Sequence, residues 1–507
     1  MSANLFSLIE ARAASAPEHP LLDAPGGRRC TYAQYVHECG RLAGVLAEAG
    51  ARPGDRVAML VDKSPEALFL YGACLRAGAI VVPLNVGYTR SEVEYFLDDA
   101  EPAVVVAAGA LAAMVESLCA GRRNAPRVFT LEADGSGTLA GAARAATRQP
   151  PTVKREAADV AALIYTSGTT GRPKGVMLTH GNLAANARTL IDLWGFGPDD
   201  VLIHALPIFH VHGLFVACHC AMLSGARMIF LPRFEPGPVV ALFEQATVLM
   251  GVPTFYTRLL AEPGLTPAAC AHMRLFISGS APLLAETFDA FAARTGHVIL
   301  ERYGMSETGM NTSNPLRGAR KAGTVGPPLP DVSVRIADER DCVLPAGEAG
   351  MVQVRGPNVF SGYWRKPDRT AEDFTADGWF RTGDIGRFDA DGYLAIVGRA
   401  KDLVISGGYN VYPKEVEDVV DRIPGVAESA VFGVPHPDFG EAVTAAVVRT
   451  GAGAGTGPEE IIRAAREHLA GYKVPKAVVF VDELPRNTMG KVQKALLRQA
   501  YAGLFRK

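Results

Sequence analysis

A glycine- and hydroxyl-rich stretch, residues 165–175, carries side chains suited to binding phosphate. It reads Tyr-Thr-Ser-Gly-Thr-Thr-Gly-Arg-Pro-Lys-Gly and follows an apolar run, 160–164, that is typical of a buried strand. Glycine lets backbone N–H groups approach an oxyanion, hydroxyls add donors, and Lys174 adds a mobile positive charge. The stretch is a candidate loop for the β- and γ-phosphates of a nucleotide. The alternative is an ordinary surface turn, which the same composition also forms.

The spacing differs from that of two common nucleotide-binding loops. G-x-x-x-x-G-K-[ST] is absent because Lys174 follows Gly171 at the third position, and G-x-G-x-x-G is absent as well. The rest of the chain therefore has to decide between phosphate binding and a surface turn.

Composition restricts the classes of function. The 507 residues predict about three to four domain-sized units, and 48% hydrophobic with 21% charged residues is ordinary for a globular enzyme. A net charge of −2 argues against a nucleic-acid partner. The longest apolar stretch, 102–115, is too short for membrane insertion, and residues 1–6 lack the features of a signal peptide.

The eight cysteines form no C-x-x-C pair. Reduced, mostly buried thiols in a cytoplasmic protein are therefore expected. A metal site at Cys218, His219 and Cys220 is disfavoured, because adjacent side chains of a helix or strand diverge.

The first hundred residues alternate predicted strands and helices. Apolar runs at 55–61, 79–83 and 103–106 are typical of buried strands, and Thr89 with Glu92 forms a capping box that begins a helix. Repeated strand–helix–strand units with continuous apolar strands predict a parallel sheet covered on both faces. The glycine-rich loop is expected to open a second block of the same kind.

The second block places polar residues where predicted strands end. Because ligands bind at the carboxyl ends of parallel strands, the turns that follow these strands are expected to build a cleft. The predicted strands are 201–206, 247–252, 274–278 and 297–301. Candidate side chains at their ends are His210, His212, Arg258, Ser278, Ser280 and Arg302. Simple packing in a loop crossing would also explain one of the two histidines.

The last third of the chain changes pattern. Short alternating runs from 323 to 397 predict an antiparallel β subdomain. A small domain of about a hundred residues follows, and its Gly490-Lys491 loop is either a source of charge for the cleft or a solvated turn. The predicted fold is α/β, with a large domain, 1–399, of two doubly wound sheets plus the β subdomain, and a small mobile α+β domain, 400–507.

Six motifs, taken in order, resemble those of the adenylate-forming superfamily, which includes acyl-CoA synthetases, firefly-luciferase-like enzymes and peptide-synthetase adenylation domains. The resemblance covers essentially the whole chain. The motifs are 165–175, 303–308, 382–384, 398–402, 407–413 and 487–491. Within the superfamily the chain is most similar to malonyl-CoA synthetases, through 203–207, 210–214, 251–258, 301–305 and 311–315.

The resemblance implies two half-reactions. A carboxylate attacks the α-phosphorus of MgATP to give an acyl-adenylate and pyrophosphate, and coenzyme A then displaces AMP. Such chemistry needs positioning and charge neutralisation more than a protein nucleophile.

The resemblance also assigns residue roles. The β- and γ-phosphates would be held by Thr166, Ser167, Gly168, Thr169, Thr170, Gly171 and Lys174. The other nucleotide contacts would be Glu307 on Mg²⁺, Thr308 on the α-phosphate, Tyr303 on adenine, Asp384 on the ribose hydroxyls and Arg399 on ribose or phosphate. The small domain would supply Lys491 to bridge the α-phosphate and the acid, Lys401 as the hinge, and Gly407 and Gly408 beside coenzyme A.

The acid is expected to be malonate or methylmalonate. Arg258 and Arg302 flank the cleft, and an arginine fork pairs well with a second carboxylate. Breaking such a buried pair costs about 3–5 kcal/mol, enough to discriminate against a monocarboxylate. Alternatively, one arginine pairs with Glu301. His210, Ser278 and Met305 would complete the pocket.

Other functions stay open at this point. The chain could activate another short or aryl acid, or load a separate carrier protein. A non-catalytic homologue is disfavoured, because both Glu307 and Lys491 are present. A lysine acyltransferase acting on Lys491 is also expected, since acylation would remove the charge and stop adenylation.

Overall fold

The computed structural model describes residues 2–122, 124–166, 173–407, 409–451, 456–487 and 490–505. The predicted phosphate-binding residues Ser167, Gly168, Thr169, Thr170 and Gly171, and the predicted coenzyme A residue Gly408, lie outside the described residues. Within the described residues, no helix has the length and apolar character needed to cross a membrane.

Strands and helices alternate through most of the chain, as predicted. The strands are β1 (Pro20–Ala24), β2 (Arg28–Thr31), β3 (Arg56–Leu60), β4 (Ile80–Pro83), β5 (Val104–Ala107), β6 (Arg127–Thr130), β7 (Val160–Thr166), β8 (Lys174–Thr179), β9 (Val201–His204), β10 (Arg227–Phe230), β11 (Val248–Gly251), β12 (Leu275–Ser278), β13 (Leu300–Met305), β14 (Gly309–Ser313), β15 (Ser333–Ala337), β16 (Gly350–Arg355), β17 (Phe380–Phe388), β18 (Leu394–Arg399), β19 (Val404–Ser406), β20 (Tyr409–Val411), β21 (Val426–His436), β22 (Gly440–Arg449) and β23 (Ala477–Phe480). The helices are α1 (Leu5–Ser15), α2 (Tyr32–Glu48), α3 (Pro65–Arg76), α4 (Arg90–Ala100), α5 (Gly109–Cys119), α6 (Thr138–Ala145), α7 (His180–Trp194), α8 (Cys218–Ser224), α9 (Pro236–Ala241), α10 (Pro253–Leu260), α11 (Ala285–Thr295), α12 (Pro367–Glu372), α13 (Pro413–Val420), α14 (Pro458–His468) and α15 (Lys494–Ala500).

Sequence signals account for where several helices begin. Thr89 accepts a hydrogen bond from the backbone N–H of Glu92, and the Glu92 side chain returns one, so the predicted capping box begins α4. Ser64 caps α3 in the same region, with Pro65 at its first position. Both helices bury an apolar face against the sheet of the first block.

The first sheet corrects one prediction. Over the described residues it has six strands in the order β6-β5-β3-β4-β7-β8. All neighbours are parallel except β7 and β8, which are antiparallel. The glycine-rich loop thus joins two strands of the first sheet, and the prediction that it opens the second block was wrong. Its following strand was missed because Val176 and Leu178 give only a short alternating signal before helix α7.

The second sheet brings the predicted cleft strands together. In the described residues its order is β14-β13-β12-β11-β9-β10-β1-β2, with β9 to β13 parallel and an antiparallel strand at each edge. The N-terminal hairpin β1–β2 extends this sheet, which sequence patterns did not predict. Strands β11, β12 and β13 are neighbours, so their carboxyl ends form one wall of a cleft.

Two smaller sheets complete the fold. β15 to β18 form the predicted antiparallel subdomain. In the small domain β19 to β23 form a further sheet, with α13 and α14 packed on it around Val416, Val443 and Ile461. The predicted fold class, a large α/β domain followed by a smaller α+β domain, is confirmed. All eight cysteines are free, and seven are buried.

Candidate active site

Arg302 provides a buried positive charge within β13. Its side chain passes beneath Gly279, where a Cβ would come within 2.5 Å of the guanidinium carbon, so the guanidinium packs closely on this turn. Arg302 is 2% exposed, and its Nε and Nη2 have no hydrogen-bond partner. Burial lowers the pKa of this arginine to about 10. The guanidinium therefore has unused donors.

Glu301 does not supply the missing acceptor. One of its carboxyl oxygens accepts a hydrogen bond from the backbone N–H of Leu283 at 3.2 Å, and the other has no partner. Burial raises the pKa of Glu301 to about 8, which favours the neutral acid at neutral pH. The structure therefore does not show the alternative pairing of Glu301 with Arg302.

Further unpartnered polar atoms lie at the carboxyl ends of the neighbouring elements. His212 Nε2 and Ser278 Oγ are buried without hydrogen-bond partners. Ser280 Oγ lies 3.2 Å from His212 Nδ1, and Ser280 has a left-handed φ of 75°, a strained conformation that is found at functional sites. Burial, followed by the charge of Arg302, keeps the pKa of His212 well below its usual value. A neutral imidazole, a hydroxyl and a guanidinium together suit a carboxylate ligand.

The other predicted acid residues are more exposed than Arg302. His210 and Met305 are half-buried, and burial lowers the pKa of His210 to about 3. Arg258 falls in the last turn of α10 and is exposed. The two predicted arginines are thus not equivalent: Arg302 is buried in the wall, and Arg258 faces solvent.

The nucleotide end is built from paired charges. Arg399 Nε lies 2.7 Å from Asp384 Oδ1, and the Tyr303 hydroxyl donates to the other oxygen of the same carboxylate. Thr382 Oγ1 accepts a hydrogen bond from the backbone N–H of Asp384 at 3.0 Å. β17 pairs with β18 so that Asp384 and Arg399 face one another across the strands. The pairing of β17 with β18 therefore positions Asp384, which was predicted to bind ribose.

Glu307 and Thr308 lie buried in the turn that follows β13. The Tyr363 hydroxyl donates to Glu307 Oε1 at 3.4 Å, and burial raises the pKa of that carboxyl. Asn358 donates to the carbonyl oxygen of Thr308 at 2.8 Å. Tyr363 and Asn358 were not predicted, because neither belongs to a local motif that carries chemistry.

Lys174 lies beside these residues at the start of β8. Its Nζ is 3.6 Å from a carboxylate oxygen of Asp373 and 4.1 Å from the centre of the Tyr363 ring. Thr166, at the end of β7, is half-buried on the opposite side of the loop. The described ends of the predicted phosphate loop therefore reach the same region as Glu307.

Lys491 of the small domain reaches the cleft. The loop is closed by hydrogen bonds between Lys491 and Asn487 in both directions, 2.9 and 3.0 Å long. A Cβ on Gly490 would lie 3.8 Å from Thr254 Oγ1 of α10. The Lys491 side chain keeps solvent-exposed surface. Burial against the cleft walls and then the charge of Arg399 lower its pKa, whereas the charges of Asp384 and Glu307 raise it. One lysine thus lies between the two ends of the site.

The predicted hinge and coenzyme A residues lie elsewhere on the small domain. Lys401 is exposed in a 3-10 turn, Ala400–Asp402, and Asp402 pairs with Arg498 at 3.1 Å. Gly407 has a φ of 60° in the turn between β19 and β20, beside Phe439. Their roles stay predictions.

Family comparison agrees with this geometry. Residues 9–364 match the model of the AMP-binding enzyme family, and residues 415–491 match that of the AMP-binding enzyme C-terminal domain. The chain belongs to the AMP-binding enzyme family. The predicted resemblance to adenylate-forming enzymes is confirmed.

Curated relatives and solved structures cover nearly the whole chain. A feruloyl-CoA synthase of Amycolatopsis sp is 39% identical over 480 residues, 94% of this chain and 95% of the relative. A mitochondrial malonate–CoA ligase of Mus musculus is 37% identical over 503 residues, 92% and 85% of the two chains. ATP-bound MatB from Rhodopseudomonas palustris is 52% identical, with full coverage of both chains and a TM-score of 0.97.

The same MatB without ligand gives a lower structural match. Its TM-score is 0.86, again at 52% identity and full coverage. Since the identity is unchanged, the difference comes from the arrangement of the chain and not from its sequence. The present structure is therefore closer to the ATP-bound arrangement, in agreement with the position of Lys491.

Proposed function

We propose that this protein ligates malonate to coenzyme A at the expense of ATP, through an acyl-adenylate, with release of AMP and pyrophosphate. One observation carries the choice of acid: Arg302 is buried with two unpartnered donor atoms, and His212 Nε2 and Ser278 Oγ are buried and unpartnered as well. A dicarboxylate can offer one carboxylate to these donors and the other to the reaction. The malonate–CoA ligase among the relatives supports the same acid.

In the first half-reaction a carboxylate oxygen of malonate attacks the α-phosphorus, and pyrophosphate leaves. Lys491 lies between Asp384 and Arg302, so its ammonium can neutralise charge on both the α-phosphate and the attacking carboxylate. Thr308 and Lys174 contact the phosphates. Asp384 accepts the ribose hydroxyls, and Tyr303 lies against adenine.

The site fits magnesium as the partner of ATP. Glu307 is a buried carboxylate whose pKa is raised by burial, and Tyr363 and Lys174 lie nearby. Within the described residues there is no cluster of three or more His, Cys, Asp or Glu side chains for a metal. One carboxylate together with phosphate oxygens is the usual donor set for Mg²⁺. When bound, the ion neutralises phosphate charge.

In the second half-reaction the thiol of coenzyme A attacks the acyl carbon, and AMP leaves. Lys491 is no longer needed, so a rotation of residues 400–507 about Lys401 would withdraw it and bring Gly407 and Gly408 beside the thiol arm. A domain boundary at 399/400 is supported by the separate apolar core of the small domain around Val404, Val431 and Val447.

An aryl acid is the competing proposal, since a feruloyl-CoA synthase is 39% identical. A neutral aryl group would leave the guanidinium of Arg302 buried and unpaired. Removing one partner of a buried ion pair costs about 3–5 kcal/mol, which corresponds to roughly a hundredfold or more in rate or affinity. Discrimination between the two acids is therefore large enough to measure.

The test is AMP formation from ATP and coenzyme A with malonate, methylmalonate, succinate, acetate, octanoate, benzoate and ferulate. We expect malonate to have the highest kcat/KM, with methylmalonate next among these acids. A higher kcat/KM for ferulate, benzoate or octanoate would overturn the choice of acid and leave the adenylation mechanism in place.

We further propose a cytoplasmic location, supported by eight free cysteines, and control by a lysine acyltransferase at Lys491. The lysine keeps solvent-exposed surface, which an acyltransferase requires. Mass spectrometry of the native protein tests this proposal. A lack of acylation at Lys491 in every growth condition would contradict it.

A further inference from the structure

A hydrogen-bonded chain of side chains connects the two sheets behind the acid end of the cleft. Lys63, three residues after β3, donates from Nζ to His204 Nδ1 at 2.8 Å and to the carbonyl oxygen of His204 at 2.7 Å. His204 is the last residue of β9. These two bonds therefore join the carboxyl end of a strand in the first sheet to that of a strand in the second.

The second ring nitrogen of His204 continues the chain. Nε2 lies 2.9 Å from the carbonyl oxygen of Gly213 and 3.3 Å from Cys218 Sγ. Burial and the neighbouring Lys63 hold the pKa of His204 well below its usual value, so the ring is neutral at neutral pH. A carbonyl oxygen only accepts, so the single ring proton lies on Nε2 and Nδ1 accepts from Lys63.

Gly213 belongs to a π-helical turn, His212–Ala217, that leads from the cleft into α8. A Cβ at Gly213 would overlap the carbonyl oxygen of Pro207, so the turn packs tightly on the chain that follows β9. Single π-helical turns are rare and are frequent at functional sites. His212 directly precedes Gly213 and contacts Ser280. His210 lies three residues before Gly213. A shift of the Gly213 carbonyl would move both histidines.

The groups around Lys63 do not indicate that its charge stabilises the folded protein. Within the described residues no carboxylate lies in ion-pair range of its ammonium, which instead faces the Phe230 ring at 4.4 Å. Burial lowers the pKa of Lys63 to about 7, so the charged form is disfavoured in the folded protein. A half-buried ammonium with this cost needs a reason other than stability.

We propose that Lys63 and His204 are positioning residues, which hold the π-helical turn so that His210 and His212 meet the acid substrate. The proposal rests on the proposed function only in taking that turn as part of the acid site. Misplacement of a reacting group by about 1 Å can cost about a hundredfold in rate. The effect should fall on the acid and spare ATP, whose contacts lie on β13, β17 and β18.

The test compares Lys63→Met and His204→Leu with Lys154→Met, an exposed lysine outside the site, as the control. KM for the acid is measured with whichever acid the protein activates fastest, so a wrong choice of malonate does not affect the result. We expect both variants to raise KM for the acid about tenfold or more, with KM for ATP and Tm near the parent values. The double variant should be no worse than either single one, because both break one chain.

His204→Gln keeps a donor at the position of Nε2 for Gly213 and provides the second comparison if Lys63→Met does not fold. A KM for the acid near that of the parent in His204→Gln, and raised in His204→Leu, supports the proposal. Equal KM values in these two variants overturn it. So does a rise in both KM values that accompanies a lower Tm, which would indicate a structural role only.

Discussion

The nucleotide end and the acid end of this cleft differ in how their charges are paired. At the nucleotide end, Asp384 pairs with Arg399 and Lys174 lies near Asp373, while buried Glu307 accepts a hydrogen bond from Tyr363. At the acid end, Arg302 is buried, and two of its nitrogen atoms have no acceptor. Most charges of the first end have partners without a ligand, and the guanidinium of the second does not.

This difference separates a general function from a selective one. Paired groups hold their geometry before the nucleotide arrives. An unpaired buried cation lowers stability until a carboxylate neutralises it, so binding of the correct acid recovers that free energy. Sites that leave a polar group unpaired with the wrong substrate discriminate strongly.

Removal of Lys491 should have the largest effect, because this residue serves both ends. For Lys491→Ala we expect the rate of adenylation, measured as pyrophosphate release, to fall about 100- to 1000-fold. Thioester formation from added malonyl-adenylate should stay near the parent rate, and Lys154→Ala is the control. An equal loss of both half-reactions would contradict the division of labour between the two steps.

Replacement of the two arginines tests whether burial sets the selectivity. For Arg302→Gln we expect kcat/KM for malonate to fall about a hundredfold, with KM for ATP unchanged, and no loss of thermal stability because a buried unpaired charge is removed. For exposed Arg258→Gln the expected loss is about tenfold or less. Steady-state kinetics and thermal melts measure both. A larger loss for Arg258 would show that the acid binds nearer the mouth.

Asp384→Asn tests the paired end. Loss of the carboxylate weakens hydrogen bonds to ribose that involve a charged group, so we expect KM for ATP to rise about tenfold. KM for the acid should not change. If KM for the acid rose as much as KM for ATP, the two ends would not be independent, and the comparison drawn above would fail.

The smallest effect is a pH dependence of stability through Glu301. Its folded-state pKa is raised by burial to about 8, against 4.5 for an exposed glutamate. Stability from this group is therefore present below pH 4.5 and is lost as pH rises toward 8. Glu301→Gln keeps the acceptor for Leu283 and removes the titration. We expect the variant to gain Tm relative to the parent as pH rises from 5 to 8, and a constant difference would contradict the shifted pKa.

Much of the nucleotide end could be predicted because its residues are close in the chain. Tyr303, Glu307 and Thr308 lie on one strand and the turn that follows it, and Asp384 faces Arg399 across neighbouring strands. Local spacing therefore constrains their geometry. Strand β8 was missed although it pairs with the preceding strand of the chain, because Val176 and Leu178 give only a short alternating signal.

The sequence by itself determined the order of strands and helices, the two-domain α/β class and the chemical types available to the site. Only the tertiary structure decided which charges are balanced. It buried Arg302 and exposed Arg258, although both follow cleft strands, and it joined Lys63 to His204 across two sheets. The physical reason is that burial and pairing depend on neighbours far away in the chain, which local patterns of residues do not specify.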